Sequence, residues 1–330
     1  MNRRRKLVVV LGAGVLKVPY GAMAQQPRRL WRIGLLYLPS KKFFIDSGTQ
    51  QSQLLGMREH GYEPGRDFVF EERFANGDSA RLPALATELV RANVDLILTS
   101  GTQANRATLE STTTIPIVTA AEADPVGNGF AVSLARPGKN MTGLASLLTE
   151  TIVKNFELLT AVLPPQARVA VLKNPSNPGG NVQLANIQAA AQKLGVRIVP
   201  IDAGNPEEIE RAIASMQRDR VQAFMTLPDS FFSQQAQQIA QLALKHRLPS
   251  SFYRAEYAEG GGLMSHGQDF VATWRLAAKF IDQIFKGAKA GDLPFEQPTT
   301  FETVINLKTA RELGITVPMA LRIQATSLIE

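Results

Sequence analysis

Strand-like and helix-like segments alternate along this chain, and the alternation runs its course twice. The first run passes through WRIGLLYL (31–38), SGTQQSQLLGMREHG (47–61), DFVFEERF (67–74), DSARLPALATELVRAN (78–93), VDLILTS (94–100), QANRATLEST and IPIVTAA (115–121). Leu82, Leu85, Ala86 and Leu89 fall at i, i+3, i+4 and i+7, one face of a helix, whereas the short apolar runs have the length of buried strands. Such alternation predicts a parallel sheet covered by helices, because parallel neighbours need a crossover long enough to hold one. After residue 144 the pattern restarts: helices at 149–163, 181–194 and 230–246 interleave with strands at 167–173, 196–202, 221–227 and 248–253. Within this second run NPEEIERAIASM opens a helix, with Asn205 as cap, Pro206 at the first position and Glu208 at the third. Two runs predict two α/β lobes.

The seam between them is EADPVGNGFAVSLARPGKNMTGL, residues 122–144. Its Asp-Pro and Arg-Pro-Gly turns are expected to hold a cleft-edge acid, Asp124, and then to carry the chain across at 136–143. The tail adds a strand at 261–267, a long amphipathic helix in DFVATWRLAAKFIDQIFKG, a proline-interrupted linker and a last helix in INLKTARELG. The predicted division is 28–143 plus about 268–293 for the first lobe and 144–267 plus about 294–330 for the second. That makes three crossings, with Gly267 and the stretch from Pro294 to Pro298 as the later two. Several thin connections form a hinge, since a few loop residues can absorb a rigid-body closure.

The chain starts MNRRRK, continues through the apolar LVVVLGAGVL and reaches Ala22-Met23-Ala24 before QQP. Basic start, short apolar run and small-x-small site read as a signal peptide (1–24) cut after Ala24; the paired arginines leave twin-arginine export open. Its removal takes Arg3, Arg4, Arg5, Lys6 and Lys17, five of the seven excess positive charges. The precursor's basicity is therefore no argument for nucleic acid, which needs basic residues clustered on one face. Cysteine is absent, which excludes disulfides, thiolate metal sites and a lipidated N-terminal cysteine. The three histidines, His60, His246 and His266, are scattered, so neither a metal nor another cofactor is expected.

Hydrolase elbows and phosphate-binding loops are missing, and the glycines at 260–262 precede a strand rather than joining strand to helix. What recurs is polar residues just past strand ends, the edge where open α/β sheets bind ligands. They are Ser40, with Phe43 beyond it; Ser100, Gly101 and Thr102; Asp124; Asn174 and Asn177; Asp229 and Ser230; and Tyr253 with Glu256. Residues 100–102 also open a helix, whose free N–H groups suit a ligand carboxylate, and an acid across the cleft suits an ammonium. Taken alone, the Ser, Thr, Asp and Asn residues are favoured helix caps or turn formers, and an aromatic such as Phe43 is at least as often packed against its own lobe. A solute receptor leads; an exported enzyme using Asp124 with Asp229 or Glu256, and a ligand sensor docking on a membrane receptor, are the alternatives.

Four stretches, RLPALATELVRANVDLILTSGT, TTTIPIVTAAEADPVGNGFAVSLARPGKNMTGL, RVAVLKNPSNP and EGGGLMSHGQDF with the following GAKAGDLPFEQPTTFETVINLKTARELGI, resemble the exported ABC-transporter substrate-binding proteins of the tryptophan/tyrosine-binding type. The likeness runs from about residue 30 to the end. It implies a type I periplasmic-binding-protein fold: two Rossmann-like lobes with parallel sheets, a three-segment hinge and a ligand in between. It also implies an amino acid or related small carboxylate, an ABC permease with a cytoplasmic ATPase, and a periplasmic monomer. By position, Ser100, Thr102, Asp124, Asn174, Asp229 and Tyr253 fall in the loops lining that family's cleft. The chain departs from the pattern in lacking a lipidation cysteine, so no membrane anchor is expected. It departs again in the basic, aromatic loop from Ser40 through Lys41, Lys42, Phe43 and Phe44, which favours a more acidic ligand.

Overall fold

The computed structural model describes residues 29–297, 299 and 301–330. The leader expected over residues 1–24 lies outside the described residues, as does Pro298. Five strands form the first sheet: β1 (Trp31–Tyr37), β2 (Phe68–Phe74), β3 (Leu96–Thr99), β4 (Ile117–Glu122) and β5 (Met141–Ala145). They lie in the order β2-β1-β3-β4-β5 and all pair in parallel. The second sheet holds β6 (Arg168–Lys173), β7 (Arg197–Asp202), β8 (Ala223–Thr226), β9 (Ser250–Phe252), β10 (Met264–Gly267), β11 (Glu302–Asn306) and β12 (Ser327–Ile329). Its order from the far edge is β7-β6-β8-β9-β10, which repeats the first sheet's 2-1-3-4-5 arrangement. Two strands extend it: β11 is antiparallel to β10, and β12 is parallel to β11.

The chain changes sheets three times. The first change follows β5 and not residues 136–143, because Met141, Thr142, Gly143 and Ala145 pair with β4. That strand is short and glycine-containing, so its period is faint. Gly143 sits at φ +136°, and a Cβ there would lie 2.1 Å from the Thr119 carbonyl oxygen, so this close approach needs glycine. The second change follows β10, after which the helix Phe270–Phe285 packs on the first sheet through Trp274, Ala277, Phe280 and Ile281. The third follows the proline-rich linker, which runs beside β5: Ala145 N–H donates to Glu296 and Glu296 N–H donates to Gly143. The stretch expected to be a long helix at 230–246 is two helices, Ser230–Gln234 and Ala236–Lys245. Asn205 caps the helix Pro206–Arg218, its side chain accepting from Glu208 N–H at 2.9 Å.

Apolar side chains from both faces of each sheet fill the cores. Ile33, Leu35, Leu96 and Leu98 meet the returning helix Phe270–Phe285, while Val169, Val171, Ala223 and Met225 pack under Ile152, Phe156 and Ile187. That returning helix crosses the helix Thr49–Glu59 at Gly56, where an added Cβ would stand 2.3 Å from the Arg275 carbonyl oxygen. Overpacking a tight contact costs about 1–3 kcal/mol. Gly56→Ala is accordingly expected to lower the unfolding free energy by that much, read as a lower urea midpoint, and an unchanged midpoint would show that the two helices are free to move apart.

Candidate functional site

In a 2-1-3-4-5 sheet the loops after strands 1 and 3 part to opposite sides and leave a crevice at the carboxyl edge. Here both crevices open onto one cavity between the lobes. Tyr37, the last residue of β1, and Ser100, Gly101 and Thr102 after β3 come from the first lobe. Asn177, Pro228, Asp229 and Ser230 come from the loops after β6 and β8, and Tyr253 and Arg254 follow β9. Phe270 and Trp274 reach in from the returning helix.

The lobes are closed on one another. A Cβ on Gly101 would meet Ser230 Oγ at 2.7 Å, and the Ser40 backbone N–H donates to Gln234 Oε1 across the seam at 3.2 Å. The cavity therefore has two ends. At one, the helix Thr102–Ser111 begins at Gly101, which has no side chain to cap it. Facing that helix start across the Gly101–Ser230 contact is Asp229, buried, accepting from Asn174 Nδ2 at 3.2 Å, Asn177 Nδ2 at 2.8 Å and Phe231 N–H at 2.8 Å. Burial outweighs these hydrogen bonds and raises the Asp229 pKa. Beside it Gln183, 5 % exposed, has a buried Oε1 with no hydrogen-bond partner.

The other end is aromatic. Tyr37 meets Trp274 edge-on at 5.2 Å. The Arg254 guanidinium lies 4.9 Å from the centre of the Phe270 ring, a cation–π arrangement. Arg254 is 8 % exposed and gives Nε and Nη2 to the Glu256 carboxylate. Burial works against its charge, yet Glu256 outweighs burial and raises its pKa further. Burial likewise raises Glu256, but the Arg254 charge wins and its pKa falls. The pair is thus charged on both sides, and the guanidinium remains a fixed donor.

Seven of the residues read from the sequence meet at this cavity: Ser100, Gly101, Thr102, Asn177, Asp229, Ser230 and Tyr253. Five stand outside its wall. Ser40 caps the helix Lys41–Asp46, its hydroxyl accepting from Phe43 N–H, so the expected loop is a helical turn. Phe43 packs against the first lobe's core, and Lys41 and Lys42 are engaged by Glu72 and Asp46. Asp124 is exposed and closes a turn by accepting from Gly127 N–H at 2.7 Å. The buried acid there is its neighbour Glu122, which accepts from Thr102 Oγ1, Asn105 Nδ2 and Asn128 Nδ2 and whose pKa burial raises. Asn174 acts on Asp229 from behind, and Glu256 holds Arg254. Asp124, Asp229 and Glu256 are therefore not brought together as the coupled carboxylates an enzyme would need. The sequence reading missed Tyr37, the last residue of β1, Gln183, inside the helix Gly180–Leu194, and Arg254, next to the Tyr253 it did select.

Two lobes of repeated strand order with one shared cavity define the type I periplasmic-binding-protein architecture. The chain belongs to the ABC transporter substrate binding protein family, whose pattern matches residues 47–329. It is 24% identical over 259 residues to the tyrosine-binding protein of Clostridioides difficile (strain R20291), covering 78% of this chain and 74% of that one. A conserved domain protein from Vibrio cholerae O1 biovar eltor superposes with a TM-score of 0.83 at 26% identity, covering 91% of this chain and 100% of that one. An ABC domain from Streptococcus pneumonia in complex with L-Trp gives 0.81 at 25% identity, with the same coverage. Among the described residues no helix is long and apolar enough to cross a membrane.

Tyr37 supplies a check on this geometry. Burial pushes its phenol up to about 12, from an ordinary 10, although the Arg254 charge pulls the other way. A raised folded-state pKa means stability that is complete below about pH 10 and is lost as pH rises toward about 12. Tyr37→Phe is expected to flatten the decline of stability across that window, and an unchanged slope in alkaline unfolding curves would place the phenol in water.

Proposed function

We propose that this chain is the extracytoplasmic solute receptor of an ABC importer, closing two lobes on one amino acid and delivering it to a membrane permease with a cytoplasmic ATPase. The leader is removed after Ala24, and the mature monomer is free of the membrane. The observation that carries the reading is the pairing of opposite recognition chemistries at one end of the interlobe cavity. Unpaired N–H groups at the start of the helix Thr102–Ser111 suit a carboxylate, because the helix dipole and the free donors both favour negative charge. Asp229 and the orphan Gln183 Oε1 across the seam suit an ammonium. One α-amino-acid head group spans both lobes, and a ligand touching both lobes selects the closed state. The tyrosine-binding relative and the neighbour bound to L-Trp favour an aromatic amino acid, in keeping with Tyr37, Phe270 and Trp274 at the other end.

A receptor gains stability from its ligand by mass action, about 2.7 kcal/mol at a hundredfold excess over Kd. Thermal melts of ligand-stripped protein against the amino acids are expected to show that gain for an aromatic member, whereas no shift with any amino acid would defeat the reading. Gln183→Leu is expected to weaken that ligand about tenfold by removing an ammonium acceptor worth ~1–2 kcal/mol. The free variant should melt no earlier than the parent, because the orphan polar atom is gone; calorimetry and melting of the same sample separate the two effects.

A further inference from the structure

Among the aromatic rings of the cavity two hydrogen-bond donors line the wall from opposite lobes. Tyr37 closes β1 of the first lobe, and Arg254 follows β9 of the second; both line the cavity. Their electrostatic coupling places the phenol within the field of the guanidinium. Glu256 takes Nε and Nη2 of Arg254, which leaves Nη1 without a hydrogen-bond partner among the described residues. The Tyr37 hydroxyl makes no hydrogen bond among them either. Rings of Phe270 and Trp274 flank the pair and present no acceptor. Two donors with no acceptor of their own, walled by aromatic rings, form a place for an oxygen atom at the tip of an otherwise flat, apolar group.

We propose that Tyr37 and Arg254 are specificity-determining residues that read an oxygen acceptor at the far end of the ligand's side chain, and so select a phenol over a plain phenyl ring or an indole. The proposal rests on the amino-acid reading above, which puts the head group at the Asp229 end. A phenol oxygen accepts from Arg254 Nη1 and Tyr37 Oη, whereas an indole offers an N–H donor alone and a phenyl ring offers nothing. A site whose buried donors are left unpaired rejects the analogue lacking the oxygen, which is the stronger kind of discrimination. Because one donor comes from each lobe, the same oxygen also holds the lobes together.

The test is calorimetric titration of ligand-stripped protein with L-tyrosine, L-phenylalanine and L-tryptophan, repeated on Tyr37→Phe and on the double variant Arg254→Met with Glu256→Met. Tyr37→Phe removes a hydroxyl that makes no hydrogen bond among the described residues, so folding is spared; the double variant leaves no carboxylate stranded. In the parent, tyrosine is expected to bind at least about tenfold more tightly than the other two. In Tyr37→Phe, tyrosine is expected to lose about tenfold while phenylalanine stays within about twofold, and the double variant should erase the preference. Equal or tighter binding of phenylalanine or tryptophan by the parent overturns the proposal, as does a Tyr37→Phe variant that weakens all three alike. Binding of none of the three overturns the amino-acid reading itself, an outcome distinct from binding without discrimination.

Discussion

All strands of the two 2-1-3-4-5 units point the same way within their sheets, and that single constraint governs everything at the interlobe cavity. Parallel pairing forces every strand to release its chain at one edge, so the loops after β1, β3, β6, β8 and β9 collect their polar side chains together. The strands can stay almost wholly apolar as a result, as in the buried runs of β3 and β8. Turning two such edges toward each other by three crossings makes one cavity from these short loops, with no dedicated structure for it. Closure then depends on small contacts at the rim: Gly101 against Ser230, and Ser40 N–H with Gln234.

Buried charge in and behind the cavity wall is arranged in compensated sets rather than as isolated ions. Arg254 and Glu256 neutralise each other while keeping guanidinium donors in place, which avoids the cost of an uncompensated ion. Asp229 and Glu122 take the other course, each surrounded by amide donors: Asn174 and Asn177 around the first, Asn105 and Asn128 around the second. The two acids come from different positions in their sheets, Asp229 after β8, the counterpart of β3, and Glu122 at the end of β4. Desolvation wins over the hydrogen bonds in both, so their pKa values rise. A ligand ammonium at Asp229 would favour its ionised form, coupling proton binding at that acid to ligand binding.

Much of this organisation was legible in the chain. Apolar runs of strand length marked β1, β3, β4, β6 and β8 within a residue or two, because buried parallel strands read as continuous hydrophobic stretches, and the edge strand β7 was marked as closely. Their ends named Ser100, Thr102, Asn177, Asp229 and Tyr253 as cavity residues. β5 was hidden in MTGLA, five residues with a glycine chosen by the approach of Thr119 and not by any period. β11 and β12 were hidden for a related reason: each is short and gains its identity from a long-range partner. Among site residues, Asp124 and Phe43 carried the right chemistry in the right loops, but a local turn and a local helix absorbed them. Arg254 was invisible because a lone arginine after a strand is ordinary; its burial is set by Glu256 and by Phe270, which arrives from the returning helix.

The central claim is that the two lobes move as bodies and that ligand selects their closed arrangement. With no native cysteine, Ala80→Cys and Ser176→Cys place two spin labels on exposed positions that border one groove, one on each lobe. Pulsed electron-electron distance measurement on stripped protein, with and without L-tyrosine, reads the motion directly. A distribution that is longer or broader without ligand and collapses to one short distance with it is the expected result. A single distance, identical in both samples under conditions where calorimetry detects binding, would contradict it.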